Sequence, residues 1–369
     1  MLSVEMLAAR YGDSLLVTWG APGDEHRMLI DAGLAGAYPA IKARLLELDC
    51  DIDLLVVTHV DIDHVGGAVK LLADDEVARR VASVWFNGYV HLEQFSDILG
   101  ALDGERLTAL IRGRAMTWNA GWPDAPNDEC GGAIVVRDIP PVVELGSGAT
   151  ITLLSPTPDK LRRLHDVWLD AITRAGLVDG TDGVRDEAEA DRIADLLGSL
   201  ADLADVRSDP DDAEANGSSI AFVFEHEGVR ILFGGDAHSD ALLESLAHLA
   251  PEGERYRVDA CKLPHHGSRR NVSSAFVERL DCSYWWFSSN GVRFHHPNDE
   301  AIARVIRYGS PAARLAGNYR SDRWAAFTAA HPPGENGYAL ELPDEGCEGL
   351  MITLDPPARA AGAAAARPR

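Results

Sequence analysis

Cysteine is scarce and scattered. Five residues (Cys50, Cys130, Cys261, Cys282 and Cys347) form no CxxC pair and leave one over. That excludes a disulfide framework or a cysteine zinc ribbon and predicts reduced thiols in a cytoplasmic protein. No apolar run approaches the roughly 20 residues of a membrane span. The opening Met1-Leu2-Ser3-Val4-Glu5 lacks the basic and apolar regions of a signal peptide, so no membrane association is expected. Basic charge is also short: 34 Lys and Arg stand against 58 Asp and Glu, a formal net charge of -24. A uniformly acidic surface would repel nucleic acid, phosphorylated metabolites and anionic membranes. The distribution is uneven, because acids dominate over 159–214 whereas nine arginines between Arg269 and Arg323 outnumber the acids there. Any phosphate-facing surface is expected from that arginine-rich stretch.

The chain has 369 residues and ample apolar content, enough for one large or two ordinary domains. Alternation and β-branched residues predict strands over 4–8, 15–19, 28–31, 54–58, 81–86, 134–136, 142–145 and 151–154. Helices are predicted over 39–48, 65–72, 92–100 and 106–114. From 158 to 215 the character changes to two apolar-periodic helical stretches, 161–174 and 187–204, joined by Gly/Asp-rich turns, which reads as an acidic helical insertion. Strands resume over 220–225, 229–233, 259–263, 284–288, 313–316, 338–342 and 351–354, with helices over 240–249, 273–280 and 300–308. Two strand-rich halves with helices between strands predict a layered α/β body over 1–354, followed by an Ala/Pro/Arg-rich tail, 355–369, expected to be disordered. Trp285-Trp286-Phe287 reads as core packing, while Trp118, Trp122 and Trp324 lie in less regular surroundings and are candidates for lining a substrate groove.

Residues 58–67, Thr-His-Val-Asp-Ile-Asp-His-Val-Gly-Gly, follow the apolar run 54–57 and place His59, Asp61, Asp63 and His64 in one turn. So many lone-pair donors at a strand end require a positive charge to offset their repulsion, and imidazole mixed with carboxylate suits Zn, Mn or Fe. Three further strand ends share this grammar: Phe233-Gly234-Gly235-Asp236, Cys261-Lys262-Leu263-Pro264-His265-His266-Gly267-Ser268 and Phe294-His295-His296-Pro297. Loops at strand ends converge on one rim of a layered α/β protein, where its ligand sites lie.

In this order the motifs resemble the metallo-β-lactamase superfamily, and within it the soluble C-terminal domain of ComEC-type DNA-uptake proteins and related stand-alone nucleases. The resemblance rests on Gly12-Asp13-Ser14, Leu29-Ile30-Asp31-Ala32-Gly33, the 58–67 loop, Asn216-Gly217-Ser218-Ser219, Gly235-Asp236, Pro264-His265-His266-Gly267-Ser268 and His296-Pro297. It implies an αββα four-layer sandwich, with the helical insertion 158–215, and a two-metal site on one edge. Asp61 stands where the superfamily more often has a second histidine, and Asn216 or a neighbour stands where a further histidine is usual. Carried over, His59 and Asp61 would hold one metal, Asp63, His64 and His265 the other, and Asp236 would bridge them. Oxygen donors at the first position make it harder and favour Mn, with Zn also suited. Asp63 would also be catalytic, Asp31 and Asn216 would support the ligands, and His266 or His296 would donate to the phosphate or protonate the leaving oxygen. Ser268 and Asn290 would contact substrate, with a turn role as the alternative for each.

The function expected is a metal-dependent phosphodiesterase, a nuclease acting on DNA. The alternatives are a small-molecule hydrolase for a lactone, cyclic nucleotide or phosphate ester, and a regulatory module that keeps the fold without turnover. The acidic insertion is expected to serve as a lid over the basic rim or as a docking surface for a regulatory protein.

Overall fold

The computed structural model describes residues 2–95, 106–174, 177–178 and 199–356. Strands β1 (Leu2–Met6), β2 (Leu15–Ala21) and β3 (Asp24–Ile30) form an antiparallel meander, to which β4 (Leu54–Val56), β5 (Ser83–Trp85) and β6 (Thr117–Trp118) add in parallel. A second sheet begins with β7 (Val142–Glu144), β8 (Thr150–Ser155), β9 (Ala221–His226) and β10 (Val229–Phe233), each antiparallel to the next. Two-residue β11 (Tyr256–Arg257) stands apart and pairs only with β13 (Leu280–Asp281). Beside β10, the parallel strands β12 (Ala260–Lys262), β14 (Tyr284–Phe287), β15 (Arg314–Gly317) and β16 (Ala339–Glu341) extend the second sheet. The last strand, β17 (Leu350–Leu354), returns to the first sheet and pairs antiparallel with β1, Leu2 opposite Leu354.

The two-residue period of a strand explains the layering. On β2, Leu15, Val17 and Trp19 face the other sheet, and Leu16 faces the helices outside. On β14, Tyr284 and Trp286 point between the sheets, and Trp285 and Phe287 point outward. Strands buried on both faces are sandwiched by helices such as Tyr38–Glu47 and Ile62–Ala73 on one side and Ser239–Leu249 and Asp299–Tyr308 on the other. The result is an αββα sandwich. The ends of β3 and β4 in one sheet, and of β10, β12 and β14 in the other, reach a common rim, where the Ile220 amide donates to the Thr58 carbonyl (2.9 Å) across the sheets.

Several expectations are corrected. Residues 134–136 form no strand, because the Asn87 side chain takes both Ile134 main-chain groups at 2.9 Å. Trp118, Trp122 and Trp324 are buried in the core rather than lining a groove. Helix Asp322–Ala330, capped by the Ser321 hydroxyl, was not predicted; only Trp324 and Phe327 of its residues are buried, a weak apolar signal. The first helix of the acidic segment, Pro158–Arg174, packs Leu161, Leu164, Trp168 and Ile172 into the layer outside the first sheet. Of the expected helix 187–204 the structure describes only Leu200–Asp205, and of 92–100 only the part to Phe95; the rest, like the tail from 357, lies outside the described residues. Among the described residues no helix is long and apolar enough to cross a membrane.

Trp168→Ala is expected to cost about 3–5 kcal/mol, as for large aromatics removed from a core. Urea unfolding checks it, and wild-type stability would mean that helix Pro158–Arg174 is only a surface appendage.

Candidate metal centre

The 58–67 loop enters helix Ile62–Ala73 with Asp61 at its N-cap position, so Asp63 and His64 sit in the first turn and look back toward the strand end. The glycines around it are required by close approach. A Cβ on Gly67 would lie 1.7 Å from the Ala32 carbonyl oxygen, and one on Gly12 would lie 1.9 Å from that of Asp63. Neither backbone can retreat from a side chain there. Asp31, His265 and His266 all adopt positive φ (56°, 47° and 53°), unusual for residues with side chains; both histidines turn Nε2 toward Asp236, and Asp31 backs His64 from the other side.

Each of four histidines has its Nδ1 against an oxygen. His64 Nδ1 lies 2.7 Å from Asp31 Oδ2, and the Thr58 amide and hydroxyl donate to the same carboxylate at 2.8 and 2.7 Å. With its proton engaged by Asp31, the Thr58 hydroxyl oxygen accepts from His59 Nδ1 at 3.0 Å. His266 Nδ1 donates to the Ser288 carbonyl (2.9 Å), and His265 Nδ1 lies 2.9 Å from Asn271 Oδ1. These partners place the ring protons on Nδ1 and leave Nε2 as a lone-pair donor, the arrangement that orients metal-binding histidines.

The Nε2 atoms converge on Asp236. Those of His64, His266 and His265 lie 3.3, 3.6 and 3.7 Å from Asp236 Oδ2, and His266 Nε2 is also 3.4 Å from Asp63 Oδ2. His59 packs its ring against that of His64, centroids 4.2 Å apart, with its Nε2 3.6 Å from Asp61 Oδ2. The buried Nε2 atoms of His59, His64 and His266, and Oδ1 of Asp236, have no hydrogen-bond partner. Four orphaned, inward-facing lone-pair atoms fit a divalent cation, since buried polar atoms are otherwise paired.

Electrostatics gives the same answer. Burial alone would hold the His64 imidazole down, yet Asp236 and Asp31 carry it well above its ordinary value. His265 is likewise opposed by burial and pushed up to about 9, chiefly by Asp236 and Asp211. Burial opposes ionisation of Asp63 too, but the adjacent imidazoles of His266 and His64 lower it to about 2. A metal-free centre thus draws protons onto its rings because its carboxylates demand positive charge.

Among the described residues Asp13, His64, Asp236 and His266 offer ligand atoms within 4.8 Å of one another. Asp13 stands behind His266 rather than beside it: one oxygen pairs with buried Lys262, and the other lies 3.2 Å from His266 Nδ1. His266, expected as a proton donor, therefore points its Nε2 into the carboxylates as a ligand would. His296 is buried, its ring 5.1 Å from that of His265. Burial, with His265 and His266 alongside, drives its pKa well below 6.5, so it is neutral and not a charged acid. Asn216 supports the centre, its Nδ2 donating to Asp211 at 2.7 Å and lying 3.4 Å from His265 Nδ1. Ser268 and Asn290 hold their own turns, accepting from the Arg270 and Val292 amides at 3.3 and 3.1 Å.

The basic rim is largely engaged within the fold. Arg270 pairs with Asp212, Arg314 with Glu341 and Arg323 with Asp299, Arg279 donates to four carbonyls, and Arg304 is buried. The residues that the sequence left without a role are Asp13, Lys262 and Asp211. Asp13 had a signal, its place in Gly12-Asp13-Ser14; Asp211 had none, being one acid in an acidic run.

Residues 7–108 match the family model of the metallo-beta-lactamase superfamily, whose αββα fold the sandwich shares. The chain is 21% identical over 357 residues to ComE operon protein 3 of Bacillus subtilis (strain 168), covering 89% of this chain and 34% of that protein. It thus spans about a third of that relative's length. Similar solved structures include the metallo-beta-lactamase fold protein YhfI from Bacillus subtilis (10% identity, 96% of this chain and 100% of that one, TM-score 0.40). Zn(2+)-bound PqqB from Methylobacterium extorquens is another (12% identity, 95% and 100%, TM-score 0.41).

A pKa raised on folding gives the metal-free protein stability that is full below pH 6.5 and is lost as pH rises toward about 9, the His265 value. Metal binds the deprotonated rings. At a fixed free concentration of divalent metal, the rise in Tm that the metal confers should therefore grow across this window; a metal effect that shrinks as pH rises would contradict the ligand set.

Proposed function

We propose that the protein is a metal-dependent phosphodiesterase acting on DNA, with two divalent ions, Mn or Zn, held between its sheets. The observation that carries the reading is the convergence of orphaned Nε2 atoms and carboxylates on Asp236. The resemblance to ComEC-type DNA-uptake proteins, including Asp61 in place of a histidine, supports phosphodiester over β-lactam or thioester chemistry. His59 and Asp61 would hold one ion, Asp63, His64 and the paired histidines His265 and His266 the other, with Asp236 shared. Bound there, such a pair lowers the pKa of water from 15.7 to about 7 and neutralises charge building on a phosphoryl oxygen.

The chain's own groups do the rest. Asp31, Thr58, Ser288 and Asn271 hold the rings in the Nδ1–H form, so that no ligand has to reorient during turnover. Neutral His296 fits a hydrogen bond to a substrate oxygen without adding charge to the pocket. A regulatory protein engaging the acidic segment 158–215 would act on the centre directly, because Asp211 of that segment contacts His265.

One observation favours a second reading, a small-molecule hydrolase for a lactone, cyclic nucleotide or phosphate ester. With Arg270, Arg304, Arg314 and Arg323 engaged internally and a net charge of -24, little of the expected basic surface remains to follow a long polyanion. Purified protein given Mn or Zn is expected to cut plasmid or linear DNA and a chromogenic phosphodiester. Asp63→Ala should lower the rate by about 100-fold or more. Turnover of a lactone or phosphate ester with every nucleic acid left intact would favour the second reading, and inertness with both metals would sink both.

A further inference from the structure

Asp211 lies in the acidic segment and is buried, yet one of its oxygens is directed at the centre. Its Oδ2 receives Asn216 Nδ2 at 2.7 Å, Asn271 Nδ2 at 2.9 Å and His265 Nδ1 at 3.2 Å, and its Oδ1 receives the Ala213 amide at 3.2 Å. Asn271 closes the arrangement by presenting its own Oδ1 to the same His265 nitrogen at 2.9 Å. His265 needs such a hold more than the other rings do. Its side chain is 23% exposed, whereas those of His64 and His266 are fully buried.

The segment carrying Asp211 is fastened to the histidine loop at two points. Arg270 donates to the Pro210 carbonyl (3.0 Å) and to Asp212 (2.7 Å). Buried Arg304 donates from one nitrogen to the Val206 carbonyl and Ser208 hydroxyl (2.6 and 2.9 Å) and from the other to the Arg269 and Val272 carbonyls (2.7 and 2.8 Å). The strap 206–216 and the loop 265–272 therefore form one hydrogen-bonded unit.

We infer that Asp211 is a positioning residue of the metal centre: together with Asn271, which it holds, it fixes the tautomer and ring direction of His265 through Nδ1, so that the strap 206–216 supports the ligand set from outside the sandwich. This rests on the metal-binding part of the reading above and not on the substrate. A carboxylate behind a metal-binding imidazole raises its basicity and orients it, and loss of such a partner typically costs about 10- to 100-fold in metal affinity.

The test measures zinc affinity by competition with a chromogenic chelator, for wild type, Asp211→Asn, His265→Ala and the double variant. Asp211→Asn is expected to bind zinc about 10- to 100-fold more weakly and to cause no further loss in the His265→Ala background. Wild-type affinity in Asp211→Asn, or losses that simply add in the double variant, would overturn the inference. Should Asp211→Asn not fold, nitrogen-15 spectra of zinc-loaded wild type decide: His265 protonated on Nδ1 supports it and protonation on Nε2 overturns it. Wild type that takes up no zinc or manganese would overturn the metal centre itself, and the inference with it.

Discussion

Everything around the rim answers to one electrostatic constraint, the buried carboxylate of Asp236 faced by the Nε2 atoms of three imidazoles. Such a cluster is stable only with positive charge at its middle, whether as protons on the rings or as a cation among them. The outer layer of the site serves that choice. Asp31, Thr58, the Ser288 carbonyl and Asn271 occupy the Nδ1 side of each ring, which reserves the inner side for a metal. The backbone bends to the same end, with left-handed φ at Asp31, His265 and His266. Such conformations cost of order 1–3 kcal/mol each and persist where surrounding contacts determine them.

The pair between Asp13 and Lys262 extends this logic across the sandwich. Asp13 comes from the loop between β1 and β2 and Lys262 from β12, so the ion pair joins the two sheets directly behind His266. Both groups are fully desolvated. A buried pair of this kind adds little net stability against an apolar replacement, but losing one member leaves an uncompensated charge. It reads best as a device for register, holding the Gly12 turn against Asp63 while the histidine loop of the other sheet stays opposite.

Much of this was legible in the sequence because the ligand candidates stand in dense runs directly after apolar strands, where periodicity and chemistry reinforce each other. His59, Asp63 and His64 from one loop meet Asp236 and the His265-His266 pair from two loops far along the chain. The illegible parts share a cause, since sequence shows a group but not its partner. Asp211 sits between acids of the same type, and only its approach to His265 from 54 residues away distinguishes it. The arginines after Arg269 counted as a phosphate-facing rim, yet a guanidinium satisfied by backbone carbonyls, as in Arg304, has the same letter as one facing solvent. Irregular surroundings likewise said nothing about exposure at Trp118, Trp122 and Trp324.

The pairing of β17 with β1 sets an order on assembly. Leu2 to Met6 find one of their two neighbours early, in β2, but the other arrives only with Leu350 to Leu354. During synthesis the first sheet, which carries the loop of His59 to His64, must wait with an open edge at β1 until Leu350 to Leu354 have emerged. Contacts of such long sequence separation slow folding and leave an unpaired strand available to neighbours. The sheet that carries the first half of the centre is thus begun by the earliest strands and completed by a strand about 350 residues later.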